Sequence, residues 1–196
     1  MISRNTKIFL VFSACVVVLL VALVGAWLHH LGKVHHHCIK ITGMGFKMYA
    51  TDHNGTFPYH TNGFGDALLL LVKEHHVDRV AYLCGPGDDG HILTNALAQG
   101  LDVPEEQCSR VYVQGLSEIN DPMICILFDR RSVKGGDHNY GFGKPIREVC
   151  MLDGSMLSIG DERWLEFSRQ QVELLVTAGF KREKALEYYP AAAFDK

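Results

Sequence analysis

Motifs that would announce an enzyme are missing from this chain. The 196 residues contain no Gly-x-Ser-x-Gly, no His-Glu-x-x-His and no phosphate-cradling Gly-rich loop. A nucleophile-elbow hydrolase, a zincin-type metalloprotease and a P-loop nucleotide binder therefore have no sequence support. The expectation is a non-enzyme with no catalytic residues, no cofactor and no resident metal. An excess of basic charge is absent too. Nineteen Lys and Arg stand against 22 Asp and Glu, a formal net charge of −3. Without a basic footprint, nucleic acid is not an expected partner. Six cysteines are present but no Cys-x-x-Cys, which argues against a dithiol redox enzyme or a zinc ribbon. Internal repeats and long low-complexity linkers are also lacking, as expected of one domain with an appendage.

One long apolar run is present. From Ile8 to Leu28, "IFLVFSACVVVLLVALVGAWL" carries no charge, and at about 1.5 Å per residue it matches a hydrocarbon core of about 30 Å. Arg4 and Lys7 precede it and Trp27 stands near its end. The expectation is an uncleaved signal anchor: residues 1–7 cytoplasmic, 8–28 transmembrane and 29–196 on the outer side. A cleaved signal peptide is disfavoured, since its apolar core is shorter and ends at small residues.

Beyond the run, "HHLGKVHHHC" offers no firm helix stop. Cys38, Ile41, Met44 and Met48 recur near helical spacing as one apolar stripe. The pattern predicts a single long helix over residues 8–52, its outer half packed on a domain. "DHNGTFP" ends it, with Asn54-Gly55 suited to positive φ and Pro58 barring continuation. A short helix is predicted over 65–76, a brief strand over 80–84 and a helical turn in "HILTNALAQGL". Strands are predicted at 110–114, 123–129, 148–152 and 155–159, the last two joined by a two-residue Asp153-Gly154 hairpin of type I′. A helix over 161–179 has an acidic first turn and Gly179 at its end. The fold class expected is α+β: a long N-terminal helix, a small antiparallel sheet and a C-terminal helix.

Metal-ligating side chains cluster in two kinds of place. His29, His30, His35, His36 and His37 form a collar after the apolar run, with His75 and His76 further on. Imidazole suits zinc, copper or nickel, but no carboxylate lies in the collar, so a solvated polar surface is the favoured reading. Asp88, Asp89 and Asp137 sit near glycines without matching an EF-hand loop, and turn-shaping is favoured over calcium. "NGT" at 54–56 fits a glycosylation acceptor, although the helix-ending turn already accounts for it. Five cysteines lie outside the apolar run: Cys38, Cys84, Cys108, Cys125 and Cys150. Cys125 and Cys150, on candidate neighbouring strands, fit either a disulfide or two buried apolar side chains.

Taken in order, "CIKITGMGFKMYATDHNGTFP" at 38–58, through Cys38, Gly43, Tyr49, Ala50, Asp52, Gly55, Phe57 and Pro58, resembles type IV pilin-like proteins of the major pseudopilin group. The likeness is to the variants abundant in planctomycetes. Cys84-Gly85-Pro86 resembles a Cys-Pro pair in that group's middle. Asp129, His138 and Asp153-Gly154 resemble its His-to-Asp-Gly hairpin. The chain departs from the group in having no Gly before the apolar run and no Glu within it. The resemblance implies a pilin-like fold and a minor or degenerate pseudopilin of a type II secretion or type IV pilus system. It also implies a bacterial inner-membrane protein with a periplasmic domain, whose partners are the membrane and other pilin-like subunits or secretion-system components. The alternative is a tethered binding or sensing domain that does not enter filaments.

Overall fold

The computed structural model describes residues 15–25, 39–85, 90–134 and 143–193. The chain divides into two compact units, Met1–His35 and His36–Lys196. In the first, residues 15–25 are helical with exposed side chains. The expected membrane-spanning helix over Ile8–Leu28 is corrected here. Among the described residues no helix is long and apolar enough to cross a membrane. The helix over 15–25 extends about 16 Å at 1.5 Å per residue, roughly half of a hydrocarbon core. The remainder of the expected span, 8–14 and 26–28, lies outside the described residues. The inner-membrane, single-pass placement with a periplasmic domain falls with that helix, as does the single helix over 8–52, of which residues 26–38 are not described.

The second unit is α+β. Helix α1 (Ile39–Asp52) and helix α2 (Phe64–Lys73) come first, then a 3-10 turn (Val80–Leu83) and helix α3 (Gly90–Gln99). Among the described residues five strands follow: β1 (Arg110–Tyr112), β2 (Cys125–Asp129), β3 (Val133–Lys134), β4 (Pro145–Met151) and β5 (Met156–Gly160). Helices α4 (Asp161–Thr177) and α5 (Arg182–Tyr188) close the unit. All strand pairings are antiparallel. β1 pairs β2, β2 and β3 both pair β4, and β5 pairs β4 along Ile146–Cys150. Since β5 takes one edge of β4, β3 continues the line of β2 along the other, which leaves β1 and β5 as the outer strands.

Alternation along these strands divides the sheet between two helical layers. Tyr112 of β1 stands opposite Leu127 of β2, which stands opposite Cys150 of β4. This face meets α1: the Phe46 ring stacks on Tyr112 with centroids 4.7 Å apart. Gly43 lies so near β4 that an added Cβ would fall 2.7 Å from Cys150 Sγ. Val111, Phe128 and Val149 turn to the opposite face, where Phe128 meets Trp164 of α4 and Tyr189. Every residue of β2 is buried because both its faces are covered. That explains a continuous apolar run, CILF, where a half-exposed strand would alternate.

Three local expectations change. The 80–84 stretch is a 3-10 turn rather than a strand, and its Tyr82 carbonyl faces inward to accept a proton from Arg110 Nη1 at 2.7 Å. The ambiguous "HILTNALAQ" is a full helix. The Asp153-Gly154 hairpin exists but with a three-residue connection. Met151 N donates to Ser155 O, Gly154 N donates to Met151 O, and Gly154 alone takes positive φ, 89°. This is a type I turn followed by a left-handed glycine, the standard three-residue alternative to type I′.

Candidate functional site

The stripe of α1 chosen from spacing faces outward. Met44 and Met48 are 58% and 52% exposed, and Ile41 is half-buried. The buried stripe is Ile39, Gly43, Phe46, Tyr49 and Ala50. Both stripes have helical period, and the pairing of Phe46 with Tyr112 decides which one turns inward. Two methionines four residues apart thus lie on one outward face, with Lys47 between them reaching Glu118 at 3.3 Å.

The turn after α1 is clamped to the sheet. Thr56 bridges Ser117, Phe57 N donates to Leu116 O, and the Tyr112 hydroxyl donates to Pro58 O at 2.7 Å. Beneath α1 lies a fully buried ion pair. Arg110 Nε donates to Asp129 Oδ1 at 3.2 Å and both side chains are 0% exposed. Asp129 Oδ2 also accepts the Glu148 N–H, and Arg110 Nη1 reaches Thr42 Oγ1, so one cluster joins α1, β1, β2, β4 and the 3-10 turn.

A second polar cluster forms where α1 and α2 end. Each helix closes in the same way. Gly55 N donates to Ala50 O with Asn54 at φ 52°, and His76 N donates to Leu71 O with His75 at φ 63°. These are two Schellman ends in which a non-glycine residue takes the left-handed position. The turns bring His53, Glu74 and His76 together, with one ligand atom of each within 4.8 Å of the others. His53 Nε2 lies 3.1 Å from Glu74 Oε2, and His76 Nε2 lies 3.9 Å from the same oxygen. The Tyr49 ring stacks on His53 at 3.8 Å, nearly parallel. Partial burial, with the Glu74 carboxylate adding to it, raises the Tyr49 phenol above its ordinary value.

Most of the sequence candidates are not part of these clusters. His29, His30, His35, His36, His37 and Cys38 lie outside the described residues, as do Pro86, Asp88, Asp89, Asp137 and His138. His76 is the one histidine of the expected metal readings that the structure brings to a cluster. His75 is exposed and serves the turn. His53 and Glu74 were not read from the sequence. The signal that would have found them is the shared helix-end pattern: a ligand-type residue just before each left-handed position. Asp153 holds the hairpin, its Oδ1 accepting the Ser155 N–H at 2.8 Å. Cys125 and Cys150 are free, buried thiols rather than a disulfide.

A cleft of about 690 Å³ opens between the α2 start and the α5 region, lined in part by Tyr59, Asn62, Glu105, Lys184 and Tyr188. Its charges are already engaged. Glu105 Oε1 accepts the Phe64 N–H at 2.6 Å and so caps α2, while Lys184 pairs with Glu187 at 2.7 Å. Comparison with known proteins finds no matching family model, no matching curated protein and no matching solved structure.

Proposed function

We propose that the chain is a structural or assembly subunit of pilin-like design, without catalytic activity, similar to a minor or degenerate pseudopilin of a type II secretion or type IV pilus system. The observation that carries this reading is the pair of faces on α1. One face lies on an antiparallel sheet, and the other presents Met44 and Met48 to solvent. Methionine is flexible and polarisable, and exposed methionines suit a surface that packs against other subunits. The clamped Gly55-x-Phe57-Pro58 turn and the Asp153-Gly154 hairpin stand in the order that the resemblance requires, which supports the same reading.

The test is site-specific photocross-linking in host cells. A photoreactive residue at Met44 or Met48 is expected to yield adducts with other pilin-like subunits, and one at exposed Glu166 of α4 is not. Met44→Asp with Met48→Asp should abolish subunit association while costing no more than about 1–1.5 kcal/mol of stability, the sum of two surface substitutions and their helix-propensity losses. A chain that gives no adducts from either position and stays monomeric in its host would overturn the assembly role. A second reading, a binding or sensing domain on the same fold that does not enter filaments, is favoured by the His53–Glu74–His76 arrangement. A monomer that retains ligand binding would select it.

A further inference from the structure

We propose that His53, Glu74 and His76 form a binding site for a divalent transition-metal ion, with zinc as the ion of best-matched chemistry. The inference is independent of the assembly role. Two imidazoles and one carboxylate are the donor set of zinc, cobalt(II), nickel and iron(II) sites. Calcium and magnesium take oxygen donors and are disfavoured.

The geometry is close to what coordination needs. Ligand atoms about 2.0–2.2 Å from a tetrahedral ion lie about 3.3 Å from one another. Glu74 Oε2 is 3.1 Å from His53 Nε2 and 3.9 Å from His76 Nε2, and the whole set falls within 4.8 Å. Gathering the set further asks only for rotation of His53 and Glu74, whose side chains are 35% and 37% exposed. The His76 side chain, 7% exposed, is the fixed member.

Hydrogen bonding fixes which nitrogen faces inward. His53 Nδ1 lies 2.9 Å from the Tyr49 carbonyl, which can only accept, so Nδ1 carries the proton. Nε2 of the neutral ring then turns a lone pair towards a carboxylate oxygen 3.1 Å away. Two acceptors at that distance require positive charge between them or a second proton on the ring. A metal ion supplies the first, and a bare His–Glu ion pair is the rival arrangement.

The surroundings favour a cation. The Asp52 carboxylate stands 3.8 Å from His76 Nδ1, too far for a hydrogen bond but near enough to add negative charge beside the site. The Tyr49 ring packs against both imidazoles, parallel to His53 and edge-on to His76 at 5.3 Å. The site also lies at the C-terminal ends of two helices, where the backbone dipole favours a cation. An ion held there would tie the end of α1 to the end of α2, with its remaining position open to water.

Cobalt(II) and zinc titrations of the full-length protein test this, with His29, His30, His35, His36 and His37 replaced by Ala so that the collar cannot compete. The expected result is one equivalent of cobalt(II), seen as visible absorption bands that zinc abolishes. Zinc at about a hundred-fold over its Kd should raise Tm by roughly 5 °C or more. Glu74→Gln and His53→Ala should each weaken binding at least about ten-fold. Glu74→Gln keeps the side-chain shape at a half-exposed position and should leave the metal-free Tm within about 2 °C. Absence of stoichiometric cobalt binding would overturn the proposal and leave the ion pair. So would affinity unchanged by both substitutions.

Discussion

Asp129→Ala is the substitution that this architecture should tolerate least. Arg110 would keep its acceptors at Tyr82 O and Thr42 Oγ1 but lose the anion opposite its Nε, in a place where both partners are 0% exposed. Breaking a buried pair by removing one member costs about 3–5 kcal/mol, because the surviving charge is left uncompensated. The Glu148 N–H would lose its acceptor as well, a group whose desolvation costs about 1–3 kcal/mol. The two losses share one cavity and are not additive. Even the lower figure is a large part of a typical stability of about 5–15 kcal/mol. For a unit of this size a loss of about 3–5 kcal/mol corresponds to a fall in Tm of roughly 6–20 °C. Urea unfolding followed by far-UV circular dichroism and Trp164 fluorescence would measure it. Arg110→Met with Asp129→Leu removes both charges and should cost less than the single change. A single-variant loss below about 1 kcal/mol, or a double variant worse than the single, would refute the reasoning.

Burial pushes the Cys150 thiol up from 9.0 to about 12 and raises Cys125 as well. Both should resist alkylation at pH 8 in the native protein and react once it is unfolded in urea. Since the folded state holds these protons more tightly, their contribution is complete below about pH 9 and is lost as pH climbs towards 12. Alkaline titration of the unfolding midpoint checks the sign. Gly45→Ala would drive a Cβ to 2.5 Å from Val77 Cγ2 and 3.3 Å from the His76 carbonyl, which should cost about 1–3 kcal/mol in urea unfolding. His75→Gly should relieve the strained left-handed position at φ 63° and stabilise by about 1 kcal/mol in the same assay.

Much of the sheet and of the terminal helix was legible because local chemistry and burial agree there. Asn54-Gly55 ends α1 where its turn chemistry says, and Gly179 closes α4 with Gly179 N donating to Val176 O and Phe180 N to Leu175 O. The runs at 110–114 and 123–129 contain β1 and β2, and 155–159 matches β5 but for Gly160, whereas 148–152 covers only the second part of β4 and β3 has no counterpart among the expected strands. What the sequence could not reveal is which competing pattern tertiary packing selects. Met44 and Met48 have the same helical period as Phe46 and Ala50, and only the position of Tyr112 decides between them. The VAYL run is apolar enough for a strand, yet a guanidinium from 28 positions away needs the Tyr82 carbonyl turned inward. His53 and Glu74 sit 21 residues apart in ordinary helix-end contexts, and only the meeting of two turns makes them neighbours. The expected crossing at Ile8–Leu28 is overturned because, among the described residues, no helix is long and apolar enough to cross a membrane, and hydropathy measures composition rather than helix length.

The close approach of Gly43 to Cys150 bears on the order of events during synthesis. The surface that covers the inner face of α1 belongs to strands made about a hundred residues later. At 5–20 residues per second that interval is roughly 5–20 s, far longer than the microsecond or less in which a helix forms. Until then the inner face of α1 lacks its full cover at Gly43, and Met44 and Met48 are bare on the other side. A nascent chain of this design therefore shows apolar side chains on two faces of α1, the outer one interrupted by Lys40 and Lys47. It would be a natural client for a holding chaperone until β4 emerges.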